Sequence, residues 1–187
     1  MNNAIFRGGN VQNIISIDPF SIQNTEIILG ADSVIYGSDA IGGVINFYTK
    51  TPKLSLTDTL LFKGNAIIRY SSASNEKTGH IDFNLGYKKW AFLTSVSFTD
   101  FDDLKMGKYG ARDYLREEYV KTINGQDEII KNGNPRIQKF TGYNQINFLE
   151  KIYYKASETL SFDLGLHYST TSNYPRYDRL IWYNGDE

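Results

Sequence analysis

Two histidines, His80 and His167, are the imidazoles of this 187-residue chain. An imidazole can ligate a metal or carry a proton near neutral pH. These two lie far apart in sequence, and neither has a local metal partner. Cysteine is absent, so neither a disulfide nor a thiolate metal site can form. The nucleophile elbow GxSxG and the zinc motif HExxH are both missing. A glycine-rich stretch, "GSDAIGG" (Gly37–Gly43), invites comparison with a phosphate-cradling loop. It lacks the lysine and the strand-to-helix setting that such a loop needs. The acidic pair Asp102-Asp103 and the run Arg116-Glu117-Glu118 have oxygen ligands for calcium or ferric ion, but a solvated, salt-bridged loop is the better reading. The chemistry-bearing residues therefore point away from an enzyme, and no bound cofactor is expected.

Composition narrows the class further. Twenty Lys and Arg face 21 Asp and Glu, without the basic surplus of a nucleic-acid binder. Aromatic residues make up 14% of the chain, with 14 Tyr and 11 Phe. The opening "MNNAIFRGGNVQNIISI" has no basic segment followed by a long apolar one, so it is not a secretory signal. No run approaches the ~18 apolar residues of a membrane helix. That test is blind to membrane β-strands, whose signal is weak in each segment.

The elements that must position these residues fall into two regions. Residues 1–52 are short, irregular and glycine-punctuated. "NVQNIISI" and "TEIIL" read as short buried strands, the first turned by Asp18-Pro19 and the second followed by Gly30-Ala31-Asp32-Ser33. "SVIYG" reads as a strand or a helical turn. Residues 53–187 are written in long alternating strands. In "LLFKGNAIIRYSS", Leu60, Phe62, Ala66, Ile68 and Tyr70 share one parity. In "HIDFNLGY", Ile81, Phe83, Leu85 and Tyr87 oppose His80, Asp82, Asn84 and Gly86. "WAFLTSVSFTD" sets Trp90, Phe92, Val96 and Phe98 against Ser95, Ser97 and Thr99. "LSFDLGLHYS" repeats the pattern, and "KFTGYNQINFLEKIYY" is a fifth, less regular strand. A period of two over eight or more residues puts the two sets on opposite faces of a sheet. Both histidines fall on the polar face.

The connections alternate in length. "YKKW" and "YKASET" are tight, "SASNEKT" is medium, and residues 100–138 form a long polar loop. Long loops at one end and tight turns at the other are the habit of transmembrane barrels. Aromatic residues gather near strand ends, as in an interfacial girdle: Tyr70, Tyr87, Trp90, Phe98, Phe140, Tyr153, Tyr154 and Tyr168. A soluble β-sandwich shares the alternation, so the pattern alone leaves both architectures open.

The stretch "SVIYGSDAIGGVINFYTKTP" resembles the plug signature of TonB-dependent outer-membrane receptors. The residues that carry the resemblance are Tyr36, Gly37, Asp39, Ala40, Gly42, Gly43, Val44, Ile45 and Asn46. Order and spacing agree, and the strand pattern begins just after them. "IQNTEIILGADS" is similar to the family's preceding strand and turn, although Gly30-Ala31-Asp32 lacks the usual proline. "TSNYPRYDRL" resembles a segment of receptors that take up haem or haemoglobin.

The resemblance implies a mainly β chain. Residues 1–52 would be the late plug. Residues 53–187 would be about five antiparallel strands of a barrel with about 22 strands, not closed within this chain. It implies an internal fragment of a longer protein in the Gram-negative outer membrane. That protein would import a scarce nutrient, most plausibly an iron complex such as haem or a siderophore. Its partners would be outer-membrane lipid, the iron-complex or haem-carrying ligand, and a TonB-type energy-transducing protein engaged through a missing N-terminal part. In a haem receptor, His80 or His167 could serve as an iron ligand, although an ordinary polar lumen residue fits each better. Ligand contacts are expected at Arg7, Asn10, Tyr174, Arg176 and Tyr177. Gly37, Gly42 and Gly43 would permit positive φ and close backbone approach in a crowded lumen. Three rivals stand beside this reading. They are a soluble β-sandwich that binds carbohydrate on its tyrosines, a glycan-importing member of the same receptor family, and an outer-membrane barrel lipase.

Overall fold

The structure is a computed structural model that describes residues 6–7, 10–11, 17–29, 35 and 43–173. It is mainly β, with antiparallel sheets, none of them closed. Two compact units divide the chain. The first comprises residues 1–66, 80–97 and 147–169, and the second residues 67–79, 98–146 and 170–187.

The first unit begins with a two-residue hairpin, β1 (Phe6–Arg7) against β2 (Asn10–Val11), in which Arg7 and Asn10 are Cα partners. A short 3-10 turn at Pro19–Ser21 follows. Asp18 caps it by accepting from the Phe20 N–H, and Pro19 occupies its first position, where a missing N–H costs nothing. Next come β3 (Ile22–Ile28) and β4 (Val44–Thr49), paired antiparallel from Ile28↔Val44 to Ile22↔Thr49. The expected strand "TEIIL" is thus the second half of a longer one.

Five long strands make the main sheet. They are β5 (Leu61–Ser71), β6 (Glu76–Gly86), β7 (Trp90–Phe101), β12 (Tyr143–Lys155) and β13 (Ser161–Thr171). Their spatial order is β13-β12-β7-β6-β5, so chain neighbours lie side by side except where the long loop intervenes. All five were legible as alternating segments. β6 starts earlier than "HIDFNLGY" implies. The medium connection "SASNEKT" becomes a tight turn, closed by Asn75 at φ +46°, a left-handed position that asparagine tolerates.

The long polar segment is not irregular. Within the second unit, β8 (Leu104–Lys105) pairs with β11 (Ile137–Gln138), and β9 (Glu118–Ile123) with β10 (Gln126–Lys131). The β9–β10 hairpin turns on Asn124-Gly125, at φ +53° and +83°, both positive as in a type I′ turn. Tyr119 meets Phe140 edge-on at 5.5 Å.

Burial across the main sheet is inverted relative to a soluble protein. Among the described residues, four apolar side chains are buried: Ala91, Leu93, Val120 and Leu149. Fourteen polar ones are buried, among them Thr78, His80, Asp82 and Asn84 of β6, Ser95, Ser97 and Thr99 of β7, and Gln145 and Asn147 of β12. Ile81, Val96, Phe98, Ile146, Phe162, Leu164, Leu166 and Tyr168 are all exposed on the opposite parity. Polar residues interrupt that apolar face, among them Thr94 of β7 and Glu150 of β12. Glu150, half-buried, accepts a 2.6 Å hydrogen bond from Thr94 Oγ1. At the tight-turn end of the first unit, Trp90 stacks on Tyr154 at 4.2 Å, and Tyr154 on Phe162 at 6.4 Å.

Candidate functional site

The densest polar constellation lies in the first unit, where the 3-10 turn and the exit from β4 meet the polar face of β6 and β7. Alternation along β6 places His80, Asp82 and Asn84 on one face, and alternation along β7 places Ser95 and Ser97 on the same kind of face. Asp18 Oδ2 accepts from Ser97 Oγ at 2.7 Å. Ser97 Oγ lies 2.7 Å from His80 Nδ1, and His80 Nε2 lies 2.9 Å from Asp82 Oδ2. Lys50 Nζ donates to the same Asp82 oxygen at 2.7 Å, while Asn65 Nδ2 donates to Asp82 Oδ1 at 3.2 Å. Phe20 stacks on the His80 ring at 4.9 Å.

Ser97 has one hydroxyl proton, which it donates to Asp18, so its lone pairs face His80 Nδ1. The other ring nitrogen, Nε2, lies against Asp82, so the imidazole bridges the serine and the carboxylate. Asp18, His80, Asp82 and Ser97 are 2%, 5%, 4% and 1% exposed. Serine, histidine and aspartate are the members of a nucleophilic triad. Here the serine proton is committed to Asp18 and the hydroxyl is buried, so the geometry gives a substrate carbonyl no approach to it.

The chain leaving β4 is fastened to β6 residue by residue. Lys50 pairs with Asp82. The Asn84 side-chain amide accepts from Lys53 N at 2.7 Å and donates to Lys53 O at 3.0 Å, satisfying both backbone groups of that residue. Ser55 N donates to Tyr87 O at 3.1 Å. Gly86 lies between these rungs, and a Cβ there would collide with the Lys53 carbonyl and come within 3.0 Å of Ser55 N.

His80 and His167 both lie on the polar faces of their strands, but no metal cluster forms around them. Among the described residues, no group of three or more His, Asp or Glu side chains could hold an ion. Both ring nitrogens of His80 are engaged, which leaves none for an axial iron ligand. His167 is half-buried on β13. In the second unit, Asp103 Oδ1 accepts from Thr141 N at 2.9 Å and Gly142 N at 3.3 Å, so this carboxylate organises loop backbone. Asp102 accepts from Asp103 N and from Asn75 Nδ2, and these donors hold its carboxyl below the usual range.

Of the motif residues, Gly43, Val44, Ile45 and Asn46 are described. Gly43 has φ +139°, and a Cβ there would meet Leu29 Cδ2 at 2.8 Å and the Ile28 carbonyl at 2.9 Å. Both the backbone conformation and the space demand glycine. Val44, Ile45 and Asn46 open β4, opposite Ile28, Ile27 and Glu26. Tyr36, Gly37, Asp39, Ala40 and Gly42 lie outside the described residues, as do Tyr174, Arg176 and Tyr177. So do most of "NVQNIISI" and all of "SVIYG" except Ile35.

Sequence reasoning missed Asp18, Lys50, Asp82 and Ser97. Asp18 was legible only as a turn former before Pro19. Its partner Ser97 lies 79 residues away, and no local signal joins them. No protein-family model matches the chain, and no solved structure matches it.

Proposed function

We propose that this chain forms part of the plug and wall of an outer-membrane transporter of the TonB-dependent receptor type, importing a scarce nutrient such as an iron complex. The observation that carries the reading is the inverted sheet. Polar side chains are buried on one face, while Phe162, Leu164, Leu166 and Tyr168 stand 55–65% exposed on the other. A β-sandwich in water requires the reverse, with the apolar face inside. A barrel wall requires this arrangement, with lipid covering the apolar face and a polar lumen behind it. The Trp90–Tyr154–Phe162 stack suits an interfacial girdle. An open sheet cannot stand in lipid with unpaired edges, so β5 and β13 pair with further strands of a longer chain.

On this reading the Asp18–Ser97–His80–Asp82–Lys50 constellation ties the plug segment to the wall. Buried charges that satisfy each other hold the two together until an applied force separates them. The protein then works as a conduit rather than an enzyme, and energy transmitted from the inner membrane rearranges the plug to let cargo through.

Fractionation of cells tests the proposal, with antiserum against residues 103–136. The expected result is an outer-membrane band several-fold heavier than 21.3 kDa. A soluble band at the chain's own mass would overturn it and place a carbohydrate-binding sandwich first.

A further inference from the structure

A second feature of the first unit adjoins the plug–wall contacts and shares Lys50, Lys53, Asp82 and Asn84 with them. A cavity of about 370 Å³ opens beside the β4 exit, lined among others by Lys50, Lys53, Lys63, Asn65, Asp82 and Asn84. At ~30 Å³ per water it holds roughly a dozen waters, the volume of a small organic molecule. Its charge is unbalanced. Three lysines line it against one aspartate. That carboxylate is already committed, with Asp82 Oδ2 taken by Lys50 and His80 and Oδ1 by Asn65. Among the described residues, neither Lys53 nor Lys63 takes part in an ion pair.

We propose that this cavity is a binding site for a small organic polyanion, a molecule bearing two or more carboxylate or phosphate groups. Lys53 and Lys63 supply the two uncompensated charges. An anionic group placed between them gains charge-assisted hydrogen bonds that water provides less well inside a partly enclosed space. Asn65 donates from its amide nitrogen to Asp82, at 3.2 Å to Oδ1 and 3.5 Å to Oδ2, and so holds that carboxylate at the cavity edge. Asn84 is spent on the Lys53 backbone and fixes where that lysine starts. The site does not depend on the transport reading, since the cavity lies within one compact unit.

The test is NMR of the protein purified from its host at its natural length in detergent micelles, with its lysines reductively 13C-dimethylated. Pyrophosphate and tricarballylate serve as probes for phosphate and carboxylate chemistry. The expected result is saturable movement of the Lys53 and Lys63 methyl signals by at least one probe at up to about 10 mM. Which probe binds more tightly identifies the anionic group. Lys63→Met should weaken binding by about tenfold or more, and Lys63→Arg should retain most of it. Among the described residues Lys63 has no ion pair to lose, so Lys63→Met should fold normally, which the unchanged Lys155 signal would verify. Absence of saturable movement, or equal movement at Lys77, which lies in the second unit beside Asp100, would overturn the proposal.

Discussion

Asp18 and Ser97 meet through a 2.7 Å hydrogen bond, although 79 residues separate them and both are almost wholly buried. The serine hydroxyl donates to the aspartate, and its oxygen lies 2.7 Å from His80 Nδ1. Removing the middle of this chain should be costly at both ends. Ser97→Ala takes one buried partner from Asp18 Oδ2 and one from His80 Nδ1, and should destabilise the fold by about 1–3 kcal/mol. Urea unfolding in micelles measures this. A double-mutant cycle with Asp18→Asn should show coupling, because the two residues share one network. Additive losses would mean that the chain does not act as a unit.

Ser95 makes the opposite prediction. Its hydroxyl is buried and, among the described residues, is the one buried side-chain polar atom without a hydrogen-bond partner. Ser95→Ala removes an unpaid desolvation cost and should be neutral or stabilising by up to ~1 kcal/mol. A clear loss of stability in the same unfolding assay would show that the hydroxyl has a partner.

Gly43 should tolerate no side chain. Gly43→Ala forces φ +139° on a residue with a Cβ and drives that atom against Leu29 and the Ile28 carbonyl. The expected loss exceeds ~1 kcal/mol. Gly79, whose Cβ would meet nothing within 4 Å, is the control and should accept alanine.

Asp102 links the tight turn after β5 to the long loop, through Asn75 Nδ2 at 3.2 Å and its own backbone N–H donating to Ser74 O at 2.8 Å. Its carboxyl is held low by the Asp103 N–H, then by Asn75, and more weakly by Lys139 and Lys77. The ionised form is therefore the one favoured by folding. Its contribution is fully present above the unfolded carboxyl value and is lost as pH falls through the lowered folded one. Carboxyl 13C titration should show Asp102 ionising below a model aspartate, and Asp102→Asn should flatten the acid limb of loop stability. The effect is small, because the group is exposed and screened.

The two faces of β13 should respond differently to charge. Leu164→Arg places a cation on the face assigned to lipid and should cost about 2–4 kcal/mol in bilayers if it lies near the midplane. Asp163→Arg, on the polar face one residue away, should cost much less. Equal costs would contradict the assignment of faces.

The sequence by itself determined the strands. A residue period of two is a local property, since successive side chains of an extended backbone point to opposite sides, and five such segments became the five strands of the main sheet. The β9–β10 hairpin is equally local, written in Asn124-Gly125, but the polar residues around it read as loop because neither strand has an apolar face. Gly43 was legible as a glycine, yet the need for one rests on how closely Ile28 and Leu29 approach it. Alternation separates two faces without saying which is buried, because that depends on what packs against the sheet. Only the tertiary structure put His80, Asp82, Ser95 and Ser97 inside. It alone brought Asp18 to Ser97 and Lys50 to Asp82, since those pairings are made by chain segments that are distant in sequence and meet only once the sheet exists.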